Sequence, residues 1–304
     1  MKEGRTSLTA ELSTAARAIE SAKPEDRRVC YDALAKDFLS PPLRIILKSR
    51  LLARMAIWCA ERIAPGVPSE VVVRTRYIDD CLRACIDDGI GQLVILGAGY
   101  DSRAYRFDGL KGKVKVFELD VPATQRVKIK RVTKLFGCLP DNVVYIPIDL
   151  DKERLDKKLF EGGCDKNVKT LFIWEGVTYY LTAEAVNETL AFVAKNSGDG
   201  SSIIFDYAFQ SVLDRASKLK QVHRALSAYE RICAPFTSEH FVFGVREGTI
   251  EEFLSRRGFY QIENVTGEIL ETAFKGIRQG REVSRLGGLV HARVKPPRSP
   301  QRDG

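Results

Sequence analysis

The hydrophobic pattern of the chain changes character twice. From Thr9 to about Arg62 apolar residues recur at helical spacing: "LTAELSTAARAIESA" sets Leu8, Leu12, Ala15, Ala16 and Ile19 on one face. After Pro41 and Pro42, "LRIILKSRLLARMAIWCAERI" continues with the same period, so these helices are expected to cover something. Beyond the turn "APGVPSE", the run "VVVRTRYIDDCLRACIDDG" predicts a further helix, with Gly89 placed as a left-handed C-cap.

The centre then alternates short β-rich runs with helical ones. Candidate strands cover 92–99, 113–120, 143–149, 170–176 and 201–208, separated by "PATQRVKIKRVTKLFG", "LDKKLFEG" and "AEAVNETLAFVAKNSG". That alternation is what a parallel sheet with crossover helices requires. "QSVLDRASKLKQVHRALSAYERICA" reads as a helical insert, "HFVFG" from His240 as strand-like, and "GTIEEFLSRRGF" as a helix feeding the strand "YQIENVTG". "LGGLVHARV" is a closing strand, and two late strands so close together predict an antiparallel edge. The expected fold class is α/β: a Rossmann-like, mostly parallel sheet with an antiparallel edge, an N-terminal helical cap and a helical insert. The expected division is a cap over 1–66, a core over 67–294 with the insert at about 210–235, and a disordered proline-rich tail over 295–304.

Composition narrows this picture. At 304 residues and 44 % apolar content the chain can bury a large core. No apolar run approaches the roughly 20 residues of a membrane span. The N-terminus lacks the apolar segment of a signal peptide, so the cytoplasm is the expected compartment. Seven cysteines show neither disulfide-scaffold spacing nor, at Cys81 and Cys85, the further ligands of a zinc site; no metal is expected. The net charge of +8 comes largely from the N-terminal region and the tail. By itself it supports only attraction to acidic or phosphate-bearing partners, and no nucleic-acid module accompanies it.

Candidate chemistry begins at "LVILGAGYDSRAY", where a strand runs into Gly97 and Gly99. In a Rossmann-like order this turn is the default ligand site, because backbone amides there can face a bound group. Ser102 occupies the place of the third glycine in the dinucleotide fingerprint, which counts against a pyrophosphate. "VFELD" ends in Glu118 and Asp120, about twenty residues on, where such folds hold a ribose; adenosine follows.

Together with "RTRYIDD" (74–80), "LGAGYDSRAYR" (96–106), "FELDVP" (117–122), "DL" (149–150) and "WEGVTYYLT" (174–182), the chain resembles the class I S-adenosylmethionine-dependent methyltransferases of the leucine carboxyl methyltransferase type. The resemblance implies S-adenosyl-L-methionine as cofactor. It implies that Arg74 holds the cofactor's carboxylate, that Gly97 and Gly99 shape the methionine and ribose pocket, and that Asp120 binds ribose. Asp149 and Leu150 would bracket adenine, and Glu175 would sit at the methionine end. Helix salt bridges to Asp79 or Asp80 are the competing role for Arg74 and Arg76, and capping the next helix is that for Asp149. Ile95 stands where many methyltransferases carry an acid before the first glycine. The resemblance also implies a basic N-terminal residue at the site, with Arg27, Arg28 and Lys36 all open.

Tyr180 is the candidate catalytic residue, expected to position the acceptor, with core packing an equal alternative for its neighbour Tyr179. The three histidines, His223, His240 and His291, are more readily structural or exposed than basic catalysts. Scarce bases favour a carboxylate acceptor, already ionised at neutral pH, over a hydroxyl. The expected activity is O-methyl transfer to a carboxylate or hydroxyl of a small molecule or a protein C-terminus. A NAD-dependent oxidoreductase and a basic nucleic-acid methyltransferase or binder stand as the alternatives. The acceptor is expected to be selected by the N-terminal helices and the insert, which could form a lid over the strand ends.

Overall fold

A computed structural model describes residues 7–235, 240–274 and 282–296. The strands are β1 (Gln92–Leu96), β2 (Lys115–Asp120), β3 (Val143–Pro147), β4 (Thr170–Trp174), β5 (Ser202–Ala208), β6 (Phe259–Thr266) and β7 (Gly287–Val294). They form one sheet of order β3-β2-β1-β4-β5-β7-β6. The first five pair in parallel, while β7 runs antiparallel to both β5 and β6. The expected mixed sheet is therefore present, its antiparallel pairings confined to one edge. Parallel strands sandwiched between helices are buried on both faces, and β1, β4 and β5 are buried along their whole length.

The helices are α1 (Leu8–Ser21), α2 (Pro41–Lys48), α3 (Arg50–Ile63), α4 (Val67–Asp87), α5 (Arg103–Arg106), α6 (Pro122–Phe136), α7 (Leu155–Glu161), α8 (Ala183–Lys195), α9 (Gln210–Leu213), α10 (Lys220–Ile232), α11 (Ile250–Ser255) and α12 (Gly267–Ala273). Local chemistry marks their ends. Ser7 and Thr182 cap α1 and α8 by accepting the amides of Ala10 and Ala185. Gly89 stops α4 in the left-handed region, as its position predicts.

Alternation along each strand splits the core in two. Val94, Leu96, Phe172 and Trp174 pack against α7, α8 and α11, whereas Leu93, Ile95, Leu171 and Ile173 pack with Ile78 and Leu82 of α4.

Four details differ from the sequence expectation. The buried face of α1 is Thr14, Ala16, Arg17, Ala18 and Glu20; Leu12 is exposed, because polar groups of this helix are consumed in buried ion pairs. The insert is broken between α9 and α10, where Arg215 takes a positive φ of 54°. "HFVFG" forms no strand; Val245 just beyond it makes a single bridge to Phe209. The short α12 lies between β6 and β7, where no helix was foreseen. Of the tail expected to be disordered, residues 297–304 lie outside the described residues.

Beneath the glycine turn a buried ion pair joins sheet to helix. Lys128 of α6 lies 2.8 Å from Glu118 of β2, both side chains almost wholly buried. Burial raises the Glu118 pKa, with Lys128 opposing it. The native state thus holds the Glu118 proton more tightly than the unfolded chain, so this group's contribution to stability falls as pH rises through the acid range. Lys128→Met keeps the stem but strands the carboxylate, and should cost roughly 3–5 kcal/mol near neutral pH by urea denaturation. The loss should shrink as pH falls, because Glu118 in the variant takes up a proton more readily than the unfolded chain does. Adding Glu118→Gln should restore much of the stability.

Candidate functional site

The carboxyl ends of the parallel strands bring the predicted residues into one row. Across the sheet, Asp149 and Leu150 follow β3, Asp120 ends β2, Gly97 and Gly99 follow β1, and Glu175 follows β4. Strand order reverses at β1, the place where open α/β sheets bind ligands. A cavity of about 670 Å³ opens over this row. Arg74, Gly97, Gly99, Asp120, Asp149, Leu150, Glu175 and Tyr180 all line it.

The turn is bare for reasons of its own closure. Gly97 has φ +68°, and a Cβ there would collide with Cγ2 of Val177. Gly99, at φ +42°, donates its amide to Asp120 Oδ2 at 2.5 Å, while Asp120 Oδ1 accepts the Val121 amide at 2.6 Å. The end of β2 is thereby fastened to the turn after β1.

Glu175 has the internal partners that its position after a buried strand demands. Arg74 Nε donates to Oε1 at 2.9 Å and Arg103 Nη1 to Oε2 at 2.8 Å. Burial works to raise its pKa, but Arg103 and Arg74 outweigh burial and hold it at about 2. Arg74 also pairs with Asp206 of β5 and stands 3.8 Å from Glu70. It is therefore no simple helix salt bridge to Asp79 or Asp80; Arg76 does make that bridge, to Asp80 at 2.7 Å. Asp206 and Glu70 both have raised pKa values, from burial, against the pull of Arg74. Arg103 continues the chain of charges to Asp79 and Asp101, Arg106 joins Asp79 to Asp32, and Arg17 of α1 closes on Asp32 at 3.0 Å.

Asp149 caps no helix: its carboxylate accepts the Asp151 amide at 3.2 Å and pairs with Lys152 at 2.9 Å, closing a turn ahead of α7. Leu150 packs half-buried against the core. Tyr180 lies in a four-ring cluster with Tyr179 (4.6 Å), Phe241 (5.5 Å) and Tyr229 of α10 (6.2 Å). This cluster ties the insert to the loop after β4.

Sequence reasoning missed Arg17, Arg103 and Asp206. Arg27, Arg28 and Lys36 do not line the cavity, whereas Arg17 does, donating Nη2 to the Tyr100 carbonyl at 2.8 Å. The signals were present: an arginine in the alanine-rich run of α1, Arg103 inside "LGAGYDSRAYR", and a lone acid in the apolar run "SSIIFDYA". The histidines do not line the cavity either.

Because its folded pKa is depressed, Glu175 contributes stability that is present above the unfolded value of about 4.3 and lost as pH falls toward the folded one. Glu175→Gln should lower stability near neutral pH by roughly 2–4 kcal/mol. The gap between variant and wild type should close as pH drops from about 4 to about 2. Urea titrations across that range check both.

Residues 10–194, more than half of the chain, match the profile of the family described as leucine carboxyl methyltransferase. YktD of Bacillus subtilis strain 168, provisionally named an S-adenosyl-L-methionine-dependent methyltransferase, is 27 % identical over 290 residues, covering 90 % of this chain and 93 % of its own. A Mycobacterium marinum protein with the same provisional name is 33 % identical over 205 residues, 66 % of this chain and 65 % of its own. The fold is shared with two solved structures. One is a protein of Thermobifida fusca YX provisionally described as a methyltransferase (TM-score 0.55, 11 % identity, 97 % of both chains). The other is a DUF574 family protein of Streptomyces avermitilis (TM-score 0.56, 10 % identity, 97 % of this chain and 99 % of that one). The profile match spanning the strand-end row places the chain in the leucine carboxyl methyltransferase family, a family of S-adenosyl-L-methionine-dependent methyltransferases.

Proposed function

We propose that the protein is a cytoplasmic O-methyltransferase acting on a carboxylate or hydroxyl of a small molecule. The observation that carries this reading is the row of strand-end residues lining one cavity. The donor set suits the cofactor: seven carboxylates (Glu70, Asp101, Asp120, Asp149, Asp151, Glu175, Asp206) and two guanidiniums (Arg17, Arg74) line the cavity. Such a surface favours a sulfonium and an ammonium group and opposes the pyrophosphate of a dinucleotide or the phosphates of a nucleic acid.

When bound, S-adenosyl-L-methionine supplies a methyl carbon on a positively charged sulfur, which an acceptor oxygen displaces in line, the C–S electron pair remaining with sulfur. The chain's own residues have binding and orienting work to do. Asp120 would accept from the ribose hydroxyls, Leu150 would lie against adenine, and Asp149 would flank it. Glu175, ionised throughout the neutral range, would meet the ammonium group. Arg74 would face the carboxylate with Nη2, the nitrogen 3.7 Å from where a Cβ on Gly176 would stand. Tyr180 would orient the acceptor, with α10 excluding water above it. A carboxylate acceptor needs no base; a hydroxyl would pass its proton to a carboxylate of the wall.

Calorimetric titration with S-adenosylhomocysteine should give saturable one-to-one binding, with NAD giving none. Asp120→Ala should weaken that binding roughly tenfold or more. Binding of NAD alone would instead leave the turn to a dehydrogenase. Tyr180→Phe should lower turnover several-fold while leaving S-adenosylhomocysteine affinity unchanged; unaltered turnover and acceptor affinity would remove Tyr180 from the site.

A further inference from the structure

The wall of the cavity has two chemically different parts. Its carboxylates and both arginines come from α1, α4 and the sheet with its strand-end loops, whereas another part is built by α2, α3 and α10. Those three helices are rich in charge, carrying Arg44, Lys48, Arg50, Arg54, Arg62, Arg224 and Arg231 among others. None of their charged side chains lines the cavity. They present apolar groups such as Ile46, Ile57, Ala60, Leu226, Ala228 and Ile232 instead. Neither α2 nor α3 has a single buried residue, apolar as both are. Leu43 and Leu47 of α2 pack half-buried against Ala18, Ala35 and Leu39, and they stand along the cavity together with Ile46, Ile57 and Ala60; the apolar residues predicted for the covering face of α1, Leu12, Ala15 and Ile19, line the same space.

Apolar walls around a cavity of this size gain from a ligand that takes their surface out of water. A peptide there would bring one N–H and one C=O per residue against walls with no charged or amide side chain from α2, α3 or α10 to pair them, at a cost for each unpaired group. We infer that this arm is the acceptor subsite, and that it takes a small molecule with a large apolar body, an acyl chain or fused rings, bearing its nucleophilic oxygen at the end nearest the tyrosine cluster. A protein C-terminus is the wrong occupant. This assignment rests on the methyl-transfer reading above and adds the chemical class of the acceptor.

The test uses the full chain saturated with S-adenosylhomocysteine and a neutral solvatochromic dye, Nile red, displaced by alcohols and carboxylic acids of increasing chain length, by a fused-ring phenol and by a peptide ending in leucine. The dye should bind saturably, and competitor affinity should rise roughly tenfold or more between about eight and twelve carbons, as burial of each methylene requires. Stronger competition by the phenol than by the longest chain would identify the fused-ring form of the acceptor. Ala60→Trp and Ala228→Leu, which fill the arm, should each weaken the long-chain competitors several-fold with S-adenosylhomocysteine affinity, read by calorimetry, within about twofold of wild type. Absence of any dye binding, affinity independent of both chain length and ring, indifference to the filling variants when cofactor-product affinity is intact, or stronger competition by the leucine peptide would each overturn the assignment. Failure of S-adenosylhomocysteine to bind the wild type would strike the methyl-transfer reading itself.

Discussion

A buried, alternating chain of arginines and carboxylates holds this site in place. It runs from Arg17 through Asp32, Arg106, Asp79, Arg103, Glu175 and Arg74 to Asp206. Each guanidinium pairs with at least one acid, and each acid sits where an isolated charge would be expensive. The chain therefore works as a unit: removal of one member leaves its neighbours' charges uncompensated in a medium that solvates them poorly. It ties α1, the segment before α2, α4, α5, the loop after β4 and β5 to one another. The N-terminal helix is thereby fixed over the strand ends, and one wall of the cavity is set.

The glycine turn depends on the same economy of space. Gly97 is bare because its backbone is left-handed and Val177 occupies the room a side chain would need; Gly99 is bare while its amide is spent on Asp120. The turn thus closes on itself, and in doing so it aims Asp120 at the cavity. The buried Glu118 and Lys128 pair sits just below, with Lys128 also donating to the Ala98 carbonyl at 3.3 Å.

Charge is sorted along the cavity. The strand ends concentrate acids whose ionisation is kept, as at Glu175 and Asp101, by adjacent arginines that overcome burial. Helices α2, α3 and α10 keep their charged side chains out of the cavity and line it with residues such as Ile46, Ile57, Ala60, Leu226 and Ala228, while Ile45, Leu51, Leu52, Met55 and Trp58 stand exposed outside it. Acids and arginines line one part of the cavity, and apolar side chains of α2, α3 and α10 line another.

Much of this was legible in the sequence. Buried parallel strands announce themselves as short apolar runs, and helices as 3.6-residue periods with capping residues and Gly89 at their ends. The seven strands, beside a strand-like reading of "HFVFG" that formed none, followed from these patterns, and the cavity-lining Arg74, Gly97, Gly99, Asp120, Asp149, Leu150, Glu175 and Tyr180 from the phrases around Gly97, Asp120 and Glu175. What stayed hidden was decided by contacts between distant segments. Arg74 reaches Glu175 across 101 positions and Asp206 across 132, and Arg103 reaches Glu175 across 72. No local period encodes such a pairing, so the sequence assigned no role to Arg17 or Arg103, and the face of α1 was assigned by its aliphatic residues alone. Sequence pattern determines which segments become strands and helices, because it records burial against the segment's own geometry. Only the tertiary structure decides which buried charge answers which, because that depends on the order in which the sheet sets the strands side by side.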